Sequence, residues 1–214
     1  MKPAYPLLAG PIAAVIFVAG IIVLPFWIPG YSSVHQTVSE IGMVGSPMQV
    51  PFTLMLCVVA LFLLIFGWAL GRFSVRAGHS PLAGYLTASM AISAAGVGIY
   101  AYPAAPHNYF GLSELVAYQA PLVLAISWRR DPRLTVVTSL SWVMTMFMWI
   151  VIGLNLSVLD RGGSLWAYER PIYGLVQRSL FIVFFLWCAA VGELLFEEER
   201  RRTPAGGATA TGAT

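Results

Sequence analysis

Few side chains in this sequence can move a proton, hold a cation or attack a carbonyl, and they fall in a handful of places. His35, Ser39 and Glu40 stand in a polar stretch, Tyr31–Pro47, that carries no Lys or Arg and separates two long apolar runs. His107 and Asn108 follow the third apolar run, and Glu114 opens the fourth. Asp160, Arg161, Glu169 and Arg170 lie between the fifth and sixth, and Arg178 sits inside the sixth. Two histidines and two glutamates suffice in number for a catalytic zinc site, which needs three protein ligands and a water. They would serve equally as general acid and base. His35 and His107 are the metal-ligand candidates, but nothing here has His-x-x-x-His spacing. Ser32, Ser33 or Ser39 beside His35 is a second option, a hydroxyl with a base near it. Arg178 is the clearest pointer, because an ionised group inside a span is costly unless it is paired or hydrated. Two readings stay open for it: an ion pair with Glu40 or Glu114, or an anchor for an anionic head group or carboxylate.

Those residues must be positioned by the apolar runs. Of 214 residues 58% are hydrophobic and 10% charged, with a mean hydropathy of +0.78, too little charge to cover a soluble domain. Crossing a bilayer takes about 20 apolar residues. Six such runs can be drawn, near Leu7–Ile28, Pro51–Gly71, Pro81–Pro103, Ser113–Trp128, Thr135–Leu156 and Tyr173–Phe196. Backbone in hydrocarbon must satisfy its own hydrogen bonds, so these are expected as helices. Pro121 predicts a kink in the fourth, or a start extended back to Gly111. The expected fold is all-α: a six-transmembrane-helix bundle forming one domain over residues 1–202, with a Gly/Ala/Thr-rich disordered cytoplasmic tail at 203–214. The first run exceeds the apolar core of a signal peptide and no small-residue cleavage site follows it, so it is expected to remain as a span. Cys57 and Cys188 both lie in apolar runs at different depths and are expected to be unpaired.

Basic residues set the expected orientation. Lys2, Arg72, Arg76, Arg129, Arg130, Arg133 and Arg200–Arg202 fall on one side, Arg161 and Arg170 on the other. The positive-inside rule then places both termini in the cytoplasm of an inner-membrane protein. Aromatic residues such as Trp27, Tyr31, Tyr102 and Trp166 would mark the outer interface. In the first outer loop Val34, Val38 and Ile41 recur at i, i+4 and i+7, predicting a short interfacial helix with His35 and Ser39 on one further face and Gln36 and Glu40 on another. The small residues Gly84, Ala88, Ala91 and Ala95 place the third span centrally. Trp142, Phe147 and Trp149 on the fifth suggest lipid-facing or packing surface.

Ser39-Glu40-Ile41-Gly42 after the first span, Pro103 ending the third with His107 soon after, and Gly174 with Arg178 opening the last form an ordered set. That order resembles the prokaryotic membrane family called domain of unknown function 998, over about residues 7–196. The resemblance implies the six-span fold and a role for the outer polar residues, and it carries no activity.

Two functions follow. The first is an outward-facing polar pocket that binds a lipid head group or small amphiphile through Arg178, Glu40, Glu114, His107 and Ser39. The alternative is an intramembrane hydrolase, possibly zinc-dependent, with His35, Glu40, His107 and Glu114 as its catalytic groups. No cofactor other than that zinc is expected. A haem or quinone role ranks last, because histidines in loops do not meet at matching depth. Nucleic acid is disfavoured, since the basic residues flank spans and form no continuous patch.

Overall fold

The computed structural model describes residues 4–202. The expected disordered tail and Lys2 lie outside the described residues. Within them there are eight α-helices and no strand: α1 (Ala9–Val23), α2 (Gln49–Arg76), α3 (Leu82–Ile99), α4 (Ala105–Ala117), α5 (Ala120–Trp128), α6 (Thr135–Asn155), α7 (Ser164–Glu169) and α8 (Tyr173–Arg202). With their flanking turns they make six segments long and apolar enough to cross a membrane. The fourth segment is α4 and α5 together, and α7 leads into α8 in the sixth.

The bundle is close-packed where glycine permits it. A Cβ on Gly67 of α2 would come within 2.7 Å of the Gly84 carbonyl oxygen of α3, so these two helices touch backbone to backbone. The small-residue face of α3 thus packs closely on α2, but α3 is not the central helix: it takes its place beside α2, α4 and α5. By contrast α6 is the least buried of the six segments, and Trp142, Phe147 and Trp149 project from it. Both cysteines are free.

At 28 and 30 residues, α2 and α8 run about 42 and 45 Å, well beyond a hydrocarbon layer of roughly 30 Å. Both helices finish at the bundle end that carries Arg72, Arg76, Arg133 and Arg200–Arg202, the basic end. There Arg76 meets Glu199 at 3.3 Å, joining α2 to α8, while Arg202 meets Glu198 at 2.8 Å within α8. Asp131, in the turn after α5, accepts from Arg133 at 2.8 Å and lies 3.1 Å from His79 Nε2. The opposite, polar end carries the loop between α1 and α2, the α3–α4 turn and the segment from α6 to α8.

Three features differ from the sequence expectation. The fourth span begins at Ala105, not near Ser113 or Gly111, because Pro106 occupies the first turn of α4, where a missing N–H costs nothing. His107 is therefore a helix residue, and Glu114 lies two turns inside. The kink expected at Pro121 is a two-residue interruption, Tyr118 and Gln119, between α4 and α5, with that proline in the first turn of α5. In the first loop, one 3-10 turn, Val38–Gly42, replaces the longer interfacial helix. Val38 and Ile41 are buried as the stripe predicts, whereas Val34 is exposed.

Candidate functional site

The polar end is organised by the first loop, and two assemblies hold that loop. The first is built on α8. Gly174 brings the loop backbone against the helix: a Cβ there would lie 2.6 Å from the Ser33 carbonyl oxygen and 2.8 Å from that of Val34. One turn on, Arg178 is buried and donates through one terminal nitrogen to the carbonyls of Ser33 (2.8 Å), Gln36 (2.7 Å) and its own Gly174 (2.9 Å). Its other terminal nitrogen donates to the Tyr31 hydroxyl at 2.6 Å, which in turn donates to the Thr37 carbonyl at 2.7 Å. Only the buried Nε is left without a partner. Burial lifts the Tyr31 phenol above its ordinary range, against the opposing pull of Arg178. Gln177, the residue before Arg178, accepts from the Val38 N–H at 2.7 Å.

The expected ion pair of Arg178 with Glu40 or Glu114 does not form. Glu40 is taken up by the loop itself: its carboxylate accepts from the Thr37 N–H (3.0 Å), the Thr37 hydroxyl (2.9 Å) and the Gln36 amide (2.9 Å). This is a capping box, with Thr37 as N-cap of the 3-10 turn and Glu40 three residues on. The Thr-x-x-Glu spacing was present in the sequence and is the signal that would have found it. His35 is exposed, and its Nδ1 donates to the Pro171 carbonyl, fastening the loop to the segment before α8.

The second assembly joins the loop to α3 and α4. His107 is buried, 5% exposed, and its Nδ1 donates to the carbonyls of Tyr100 (2.9 Å) and Val97 (3.1 Å) at the end of α3. Carbonyl oxygens only accept, so Nδ1 carries the hydrogen and Nε2 of the neutral ring is left as an acceptor. Ser39 Oγ lies 2.9 Å from that Nε2. The serine expected to pair with His35 thus pairs with His107, 68 residues away. The loop is also tied here by the Val44 N–H, which donates to the Tyr102 carbonyl at 2.9 Å.

Ser39 and Glu114 line a small cavity of about 30 Å³ whose other walls include Phe17, Phe52, Met90 and Phe185. That is room for a water or two. Glu114 is buried and accepts from the Tyr118 hydroxyl at 2.9 Å. The same α3–α4 seam has an open groove on its other side, about 430 Å³, lined by Ile92, Ser93, Tyr109, Phe110, Ser113 and Val116. Gly96 shapes the seam, leaving room for the Phe110 ring, which stacks on Tyr100 at 5.7 Å.

A family model described as protein of unknown function (DUF998) matches residues 11–193. The chain belongs to that family. Searches of curated proteins and of solved structures returned no match. Membership of DUF998 and the six apolar segments together make this an integral membrane protein. Gly174 and Arg178, two of the residues that carried the resemblance, are the loop-holding pair, and Ser39 and His107 are the seam pair. His35 and His107 share no hydrogen-bonding partner, and among the described residues no three of His, Cys, Asp or Glu are grouped to hold a metal ion.

Proposed function

We propose that this protein binds a membrane amphiphile at the α3–α4 seam, with the polar end outside the inner membrane and both termini in the cytoplasm. The observation that carries this reading is the two-sided seam. On its lipid-facing side lies an open apolar groove of about 430 Å³, within the size range of small-molecule sites. On its inner side lie Ser39, His107 and Glu114, polar groups that could read the polar part of such a molecule. Arg178, with its terminal nitrogens already on loop carbonyls and Tyr31, holds the site in shape and is not the head-group anchor. Orientation rests on the positive-inside rule, with nine basic residues on one side against two.

The binding test is photo-crosslinking with a diazirine-tagged acyl lysophospholipid in nanodiscs. Crosslinks should map to α3 and α4 and fall sharply in Ser113→Trp, which fills the groove from an exposed position. Equal crosslinking in that variant would remove the seam as the site. For orientation, single cysteines at exposed Ser164 and Ser80 should label from outside and resist labelling, respectively; reactive Ser80 in intact cells reverses the topology.

A further inference from the structure

We infer that Ser39 and His107 form a nucleophile–base pair for acyl transfer from a membrane-borne carboxylic ester, a reading that rests on amphiphile binding at the seam. Several features of the geometry support it. A serine nucleophile needs a base acceptor within hydrogen-bond reach, and Ser39 Oγ is 2.9 Å from His107 Nε2. The base needs a third group that fixes its tautomer and ring orientation. Here the Tyr100 and Val97 carbonyls do that at Nδ1, leaving the Nε2 lone pair aimed at the hydroxyl.

The nucleophile also needs a rigid backbone, because a misplaced attacking atom forfeits rate. The turn that carries Ser39 is pinned on both sides, by Gln177 on the Val38 N–H and by the Thr37–Glu40 box. Finally, the attacking water needs a place: Ser39 and the buried carboxyl of Glu114 line one small cavity, with room for a water or two.

The reaction has two halves. Ser39 Oγ adds to the ester carbonyl carbon while its proton passes to His107 Nε2. The tetrahedral adduct collapses, the bond from carbon to the leaving alcohol oxygen breaks, and His107 returns the proton to that oxygen. An acyl ester then sits on Ser39. Water, deprotonated by His107, adds to the acyl carbon; the bond to Oγ breaks, the proton goes back to Ser39, and a carboxylic acid departs. Glu114 is placed to hold that water in the cavity.

An alkyl fluorophosphonate, which phosphonylates an activated serine with loss of fluoride, tests this on the full chain in nanodiscs. Peptide mass mapping should find the adduct on Ser39, and a p-nitrophenyl acyl ester should give a burst of one nitrophenolate per chain. Removing one member of such a pair costs a factor on the order of 10³ or more, so His107→Gln should label at least that much more slowly. The decisive sample is wild type, where folding is not in question. Wild type that crosslinks the diazirine lysophospholipid on α3 and α4 but takes no phosphonate on Ser39 overturns the dyad and leaves the binding site standing. Wild type that does neither overturns both. Phosphonate on Ser39 without lipid crosslinks keeps an activated serine but overturns the membrane-ester assignment.

Discussion

Arg178 and Ser39 both grip the first loop, yet they treat it differently. Arg178 holds the backbone: its hydrogen bonds go to the carbonyls of Ser33, Gln36 and Gly174 and to a tyrosine whose own hydroxyl goes to a fourth carbonyl. Ser39 holds nothing but His107, beside a cavity. The most conspicuous charge in the membrane-spanning region is therefore a fastener, and the pair proposed to react is made of neutral groups. A formal charge in a span marks cost, and that cost can be met wholly by structure.

Breaking the fastener should have the largest effect. Arg178→Met leaves the part-buried Ser33 and Gln36 carbonyls without their donor and takes one partner from the Tyr31 hydroxyl, at about 1–3 kcal/mol for each group left unsatisfied. A total loss of roughly 2–5 kcal/mol is expected, seen as a large fall in melting temperature in detergent. Arg178→Lys should recover part of it, since an ammonium can reach carbonyls but cannot fork between the loop and Tyr31. Wild-type melting of Arg178→Met would dissolve the contrast with Ser39.

Gly174→Ala comes next. Its added methyl meets the Ser33 and Val34 carbonyl oxygens, which must shift, at a cost of about 1–3 kcal/mol. The loop should loosen while the helices stay formed, visible as faster amide exchange confined to the stretch between α1 and α2.

Ser39→Ala sharpens the comparison from the other side. It removes one hydrogen bond and leaves the buried His107 Nε2 without a partner, at about 1–3 kcal/mol, so its melting temperature should fall much less than that of Arg178→Met. A large destabilisation would make Ser39 a second fastener and erase the distinction.

The smallest effect belongs to the basic end, as a control. The Arg133 guanidinium, with help from His79, holds the Asp131 carboxyl well below the usual carboxylate range. A depressed folded value gives stability that is present above the unfolded value, near 3.9, and is lost only as pH falls through the lower folded one. Acidifying from pH 7 to 5 should therefore leave this cluster intact, and Asp131→Asn should change the melting curve chiefly by flattening its acid limb.

Hydropathy alone marks all six spans, because twenty apolar residues in a row admit few alternatives. The start of the fourth was hidden by His107, Asn108 and Ser113, polar residues that a hydropathy reading assigns to a loop although helix packing accommodates them. Pro106 carried the correct signal. The Thr37–Glu40 box was legible as spacing. The partners of Arg178 were not, because three are backbone carbonyls, which every residue has and no pattern advertises. Nor was the Ser39–His107 pair, since 68 residues separate its members and only the packing of the loop on the α3–α4 turn brings them together.

The hold of α8 on the first loop also orders the protein's biogenesis. Ser33 is made 145 residues before the arginine that binds its carbonyl. While the chain is being made, the loop after α1 can dock on α3 and α4 once these are inserted, through Val44 on Tyr102 and Ser39 on His107. The carbonyls of Ser33 and Gln36 and the Val38 N–H lack their partners until the last helix brings Gly174, Gln177 and Arg178. Closure of the stretch around Ser33–Val38 is then the final event of assembly. Ribosome-stalled chains ending before Tyr173 should show that stretch open to protease, and the full-length chain should show it closed.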